Sequence, residues 1–181
     1  MNIGLFYGSS TSNTEYEAYI IKEEIDERLG EDTVEVYNIG GVSAEQVAAY
    51  DNLIFGIPTW DIGQLQEDWD AFWDQLDKID FQNKTIAIFG PGDPYGYPDT
   101  FLDAVGILGE KVLAMGANLI GYWPTENYEF EDSIALALNK KDFMGLALDE
   151  DNQPERTEER IQEWVPQILE EFEKAQAVTA T

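Results

Sequence analysis

Short apolar runs alternate along this chain with longer stretches in which apolar residues recur every three to four positions. Residues 2–7, 33–37, 52–57, 85–89 and 118–122 are apolar runs of strand length, rich in β-branched and aromatic side chains. Between them the period becomes helical. From Thr14 onward Ala18, Ile21, Ile25 and Leu29 share a face, and Thr14 and Glu17 have the spacing of a capping box. Residues 43–49 predict a short helix capped by Ser43. Residues 67–76 place Trp69, Phe72, Trp73 and Leu76 together. Residues 101–115 do the same for Leu102, Val105, Leu108 and Val112, with Gly116 as the stop. A last helix over 157–174 turns Ile161, Trp164, Val165, Ile168, Leu169 and Phe172 inward, and Pro166 inside it predicts a kink.

Strands alternating with helices need crossover connections. The expected fold is therefore α/β: a doubly wound, five-stranded parallel sheet with helices on both faces. The pattern breaks once. Residues 123–142 are acidic and aromatic, and a second strand-like piece, 143–148, follows them. This reads as an insertion in the last strand, after which the chain returns to the sheet. One domain is expected over residues 1–174, with a flexible tail at 175–181.

Composition narrows the chemistry. Ten Lys and Arg against 37 Asp and Glu give a net charge of −27, which repels nucleic acid and anionic membranes and suits partners with basic faces. The chain has no Cys and no His. That excludes disulfides, thiolate catalysis, histidine bases and Cys/His metal centres. No apolar stretch approaches the ~20 residues of a membrane span, and no signal peptide is apparent, so the cytoplasm is the expected compartment. The run Asp149-Glu150-Asp151-Asn152 is not an EF-hand loop, because Pro154 and Arg160 stand where Gly and Glu are required.

Three loops at strand ends carry the candidate chemistry. The first joins strand to helix and holds Ser9, Ser10, Thr11, Ser12, Asn13 and Thr14, with no Lys or Arg. A helix start presents unpaired N–H groups and the positive end of its dipole, and hydroxyls add neutral donors. Neither a nucleoside-triphosphate loop nor a dinucleotide fingerprint is present, since both the Lys of the one and the repeated Gly of the other are missing. A phosphate held without positive charge points to a permanently bound phosphorylated cofactor; the plainer alternative is a hydroxyl-rich cap with no ligand. The second loop is Pro58, Thr59, Trp60, Asp61, Ile62, Gly63. The third includes Gly90, Pro91, Gly92, Asp93 and Tyr97. Aromatics in Gly/Pro-rich turns are unexpected for core residues. A flat ring between Trp60 and Tyr97 would gain roughly 0.5–1.5 kcal/mol per face beyond burial. A phosphate at one end and a stacked flat ring at the other describe flavin mononucleotide, FMN.

These loops also carry a family pattern. Phe6-Tyr7-Gly8 with the hydroxyl loop, Pro58-Thr59-Trp60, Leu65-Gln66-Glu67-Asp68-Trp69, Gly92-Asp93 through Gly96-Tyr97, Gly121-Tyr122-Trp123-Pro124-Thr125-Glu126 and the string from Gly145 to Gln153 resemble the long-chain bacterial flavodoxins. The resemblance is greatest to a second-flavodoxin subgroup that lacks the phosphate-loop Gly, here Ser12. It implies strand order 2-1-3-4-5. Flavodoxins are themselves a standard instance of a ligand at the switch point of such a sheet, so that placement comes with the resemblance.

By position, the resemblance implies that Ser9 to Thr14 bind the FMN phosphate and that Trp60 and Tyr97 flank the ring. The Asp61-Ile62 peptide lies near flavin N5, the backbone of Gly90, Gly92 and Asp93 faces the pyrimidine edge, and Asp151 approaches the ribityl chain. If position 12 needs positive φ, Ser costs roughly 1–2 kcal/mol there. The implied function is a low-potential one-electron carrier, not an enzyme, cycling FMN between neutral semiquinone and hydroquinone. Its implied partners are an NAD(P)H-dependent flavodoxin reductase and acceptor enzymes with basic faces, and nothing demands more than a monomer. The alternatives are a flavodoxin-like NAD(P)H:quinone oxidoreductase and an interaction module without FMN.

Overall fold

The computed structural model describes residues 1–179. Its centre is a six-stranded sheet. β1 (Ile3–Tyr7), β2 (Val34–Asn38), β3 (Asn52–Gly56) and β4 (Thr85–Pro91) lie in the order β2-β1-β3-β4, all parallel. Every residue of β1, β3 and β4 is buried, which is why these strands read as continuous apolar runs without alternation. β5 (Asn118–Ile120) and β6 (Leu146–Leu148) share the outer edge of β4: β5 pairs with Thr85 to Ala87, and β6 with Phe89 to Pro91. They are two halves of one fifth strand. The order is therefore 2-1-3-4-5, with the insertion leaving from the strand's middle.

Among the described residues five helices cover the sheet: α1 (Asn13–Leu29), α2 (Ala44–Ala48), α3 (Glu67–Leu76), α4 (Asp103–Ala114) and α5 (Thr157–Thr179). Successive residues of a strand point to opposite faces. Phe89 meets Trp164 of α5 edge-on, while its neighbour Gly90 lies against Val105 of α4. α4 and α5 thus lie on opposite faces, as double winding requires. The insertion folds back on itself: Trp123–Pro124 pairs antiparallel with Asp142–Phe143. Its aromatic heart, Tyr128, Phe130 and Phe143, clusters on Phe101, just before α4.

Several boundaries differ from the sequence reading. Thr14 and Glu17 form no capping box. α1 already begins at Asn13, with Ser12 as its N-cap, and Glu17 is buried with no donor on its carboxyl group. Tertiary packing against the last helix and its entry loop overrides the local motif. Ser43, by contrast, does form the box, with Gln46. α4 begins at Asp103, because Leu102 adopts left-handed φ of 59°. Leu29 is exposed, past the last inward turn of α1. α5 is one helix across Pro166; Pro166 and Gln162, whose carbonyl the ring leaves without a donor, are both exposed to water. It also continues past Lys174 to Thr179, where Ala175 and Ala177 favour helix. Residues 180 and 181 of the expected tail lie outside the described residues.

Candidate functional site

Strand order reverses between β1 and β3, and the three predicted loops converge at the carboxyl ends of β1, β3 and β4. They enclose a cleft of about 410 Å³. Ser10, Thr11, Asn13 and Thr14 line it from the first loop. Pro58, Thr59, Trp60 and Asp61 come from the second, and Pro91, Gly92, Asp93 and Tyr97 from the third; Asp151 closes the rim. Thr100, Phe101 and Leu102 also line it. The sequence reading had placed the last two inside a helix.

The other predicted residues are not part of the cleft lining. Ser9 has a buried hydroxyl with no partner. Ser12 adopts φ 69°, ψ 0° and makes no side-chain cap bond. Ile62 is 79% exposed at the tip of a tight turn. Gly63 follows at φ 80°, closing a short antiparallel ribbon in which Thr59 opposes Leu65 and Trp60 opposes Gln64. Gly90 is a sheet residue packed against the Ile57 carbonyl.

Each loop is tied down by a residue from elsewhere. Gln66, the N-cap of α3, donates from Nε2 to Ser10 Oγ at 3.2 Å while its Oε1 accepts the Trp69 N–H. Trp69 in turn donates to the Gly56 carbonyl at 2.8 Å. Thr59 Oγ1 accepts the Ala104 N–H at 3.1 Å and so caps α4 from the second loop. Asp93 Oδ1 accepts from the Tyr95 and Gly96 N–H groups and from Asn152 Nδ2 at 2.9 Å. Burial opposes the Asp93 carboxylate, but these three donors outweigh it and hold its pKa below the ordinary value. Burial, and then Asp93, push the Asp151 pKa up. The insertion braces the remaining wall: Ser133 Oγ donates to the Phe101 carbonyl, and the Ile134 N–H donates to Asp103 at 2.8 Å.

Backbone strain concentrates here. Ser12, Asp61 and Leu102 all have positive φ, and each adjoins or lines the cleft. Position 12 does need the left-handed conformation, so its Ser is strained. Ser12→Gly is expected to stabilise the apoprotein by about 1 kcal/mol, raising Tm by roughly 2–4 °C, and thermal unfolding checks it.

The donor set of the cleft fits FMN. Ser9 Oγ and Trp60 Nε1 are both buried and unpaired. Leaving such a group unmet costs about 1–3 kcal/mol, which a ligand carrying acceptors removes. The first turn of α1 adds unpaired N–H groups beside Ser10, Thr11, Asn13 and Thr14. No Lys or Arg lines the cleft. No group of three or more acidic side chains among the described residues could hold a metal ion, and no helix among them is long and apolar enough to cross a membrane.

Known proteins share the sequence and the fold. The flavodoxin family profile matches residues 5–164. Flavodoxin from Synechocystis is 49% identical over 166 residues, which is 92% of this chain and 95% of its own. Flavodoxin 2 from Escherichia coli K12 is 48% identical over 172 residues, covering 95% of this chain and 97% of its own. Among solved structures, Fusobacterium nucleatum flavodoxin bound to flavin mononucleotide superposes with a TM-score of 0.85 at 29% identity, covering 94% of this chain and 98% of that one. Flavodoxins are electron-transfer proteins rather than enzymes, which sets the oxidoreductase alternative aside. A chain matched over nearly its whole length in sequence and in fold is a long-chain member of the flavodoxin family.

Proposed function

We propose that the protein carries single electrons on non-covalently bound FMN, working mainly at the low-potential couple between the singly and doubly reduced flavin. One observation carries the cofactor assignment: a cleft of FMN size holds neutral phosphate donors at one end and Trp60 and Tyr97 on its walls, with the Trp60 Nε1 donor buried and unpaired and the unpaired Ser9 hydroxyl next in sequence to the lining residue Ser10. The bound flavin supplies the redox chemistry. Ser10, Thr11, Asn13, Thr14 and the α1 N-terminus hold its phosphate, while Trp60 and Tyr97 cover its ring. The Asp61-Ile62-Gly63 turn presents backbone groups to the ring edge, with Asp61 and Gly63 both at positive φ.

The surroundings favour a low potential. Asp61, Asp93 and Asp151 line the cleft and no cation does, so added negative charge on the ring is repelled at short range. A tenfold bias against that charge is about 59 mV for one electron. Surface acids farther away count less, because salt screens them over about 8–10 Å. The same acids, with Tyr95 and Tyr97 half exposed beside them, suit brief docking to basic faces on an NAD(P)H-dependent reductase and on acceptor enzymes. Potentiometric titration of the FMN-loaded protein tests this reading. Two separate one-electron waves are expected, the lower well below that of free FMN. A single two-electron wave near the free value would contradict it.

A further inference from the structure

Away from the cleft, a cavity of about 240 Å³ opens between the insertion and α5. Trp123 and Tyr128 line it from the insertion, Arg160 and Glu163 from α5, and Arg156 and Glu159 from the entrance to that helix. Two of the three arginines of a chain with net charge −27 meet here. Arg160 is only 3% exposed. A guanidinium is always charged, and a buried charge is costly unless a counter-ion meets it. Yet among the described residues no carboxylate pairs with Arg160. Its Nη2 donates to the Gln153 amide oxygen, and its guanidinium carbon lies 4.5 Å from the centre of the Tyr128 ring. Both partners are neutral, and Nη1 is buried with no partner. Lys84, another buried cation, shows what full satisfaction looks like: its ammonium meets the Ala48 and Tyr50 carbonyls and Asp51.

We propose that this cavity is a second ligand site, which takes a small oxyanion, the carboxylate or phosphate group of a small molecule, on the unmet arm of Arg160, with Arg156 supplying a second positive charge. The site is separate from the FMN reading, since the cavity and the cleft share no lining residue. A guanidinium presents its N–H groups as a planar fork that matches the two oxygens of such an anion. The bound group would neutralise a charge that the fold leaves unbalanced, and it would tie the insertion to α5.

Negative charge elsewhere on the chain opposes an incoming anion, but salt screens it over about 8–10 Å. The local opponents are the two acids of the lining. Glu159 is engaged by Arg156 at 3.4 Å. Glu163 is exposed and forms no ion pair among the described residues, so it is the group that competes with a ligand for Arg160.

The test uses ¹⁵N-labelled protein loaded with FMN, so that the probe does not enter the cleft. Inorganic phosphate and, separately, acetate are titrated in, with sodium chloride holding the ionic strength constant, and NMR follows the amide, indole and guanidinium signals. Saturable shifts are expected at the Trp123 indole N–H and around Arg156 and Arg160, with a Kd on the order of millimolar, together with a rise in melting temperature. A larger response to phosphate would assign a phosphate group, and a larger response to acetate a carboxylate. Arg160→Gln is expected to weaken binding at least about tenfold. Arg156→Gln alters a more exposed side chain and keeps the test open should the first variant fail to fold; it is expected to weaken binding several-fold. Glu163→Gln, which removes the competitor, is expected to tighten binding about twofold or more. No saturable shift beyond the chloride control, shifts confined to residues 10–14 of the cleft, or shifts that survive the arginine substitutions would overturn the site. So would a Glu163→Gln variant that melts markedly lower and binds no tighter, since Glu163 would then be the internal partner of Arg160.

Discussion

Replacing Trp60 by Ala is expected to weaken FMN binding by on the order of 100-fold while leaving the apoprotein folded. Trp60 contributes on two counts. In the proposed complex its indole covers the ring, which gains roughly 0.5–1.5 kcal/mol beyond burial of the surface itself. Its Nε1 is a buried donor without a partner, and a hydrogen bond to the ligand adds about 0.5–1.5 kcal/mol net. With the burial lost, the sum is roughly 3 kcal/mol, and each 1.4 kcal/mol is tenfold in Kd. The cost to apoprotein stability is small, about 0.5 kcal/mol or less, because the side chain is only partly buried and its unpaired donor disappears with it. Titration of flavin fluorescence measures the first effect and thermal unfolding the second. Unchanged affinity would remove Trp60 from the ring site.

Gly90→Ala is expected to cost at least about 3 kcal/mol of stability and to lower Tm by on the order of 10 °C. A Cβ at this position would stand 2.0 Å from the Ile57 carbonyl oxygen and 3.0 Å from Val105 Cγ2. The first neighbour is backbone, so no rotamer change relieves the clash. The Ile57 N–H is bonded to the Phe89 carbonyl at 3.0 Å, and Pro58, Thr59 and Trp60 follow directly in the chain. Displacing Ile57 therefore also moves the second loop, and FMN affinity should fall together with stability. The glycine is required here for space and not for conformation, since its φ lies outside the left-handed region. Urea unfolding of the variant checks the stability loss. A wild-type midpoint would mean that β3 and β4 separate more easily than their pairing indicates.

Much of the architecture was legible because burial on both faces leaves a simple signature. β1, β3 and β4 are enclosed by helices, so nearly every position had to be apolar. The split fifth strand was legible for the opposite reason: residues 123–142 are too polar to continue a buried strand, and the apolar run ending at Leu148 had to return somewhere. The hydroxyl loop and the aromatic turns also announced a ligand site before any topology was known.

What escaped the sequence depends on contacts between distant segments. Gln66 looks like one more polar residue beside Glu67; only the fold brings it under Ser10. Thr59 caps a helix that begins more than forty residues later, a partner that no local spacing reveals. Leu102 carries a side chain that normally avoids positive φ, so nothing in its type predicted a left-handed start for α4. Glu17 shows how a local motif loses to packing. Its spacing from Thr14 matched a capping box, yet its side chain is fully buried, with no hydrogen-bond partner on either carboxyl oxygen. A polar residue at a buried position is hard to read because its type points outward while its place in the helix points in.

The central claim is that uncharged serine, threonine and asparagine donors at a helix start hold the phosphate of FMN while Trp60 and Tyr97 hold its ring. Paired fluorescence titrations of the apoprotein with FMN and with riboflavin, which lacks the phosphate, test it most directly. The account predicts 1:1 quenching by both, with FMN bound at least about 100-fold more tightly, since a phosphate with several charge-assisted hydrogen bonds gains upward of 3 kcal/mol. Equal affinities, or no quenching by FMN, would contradict it.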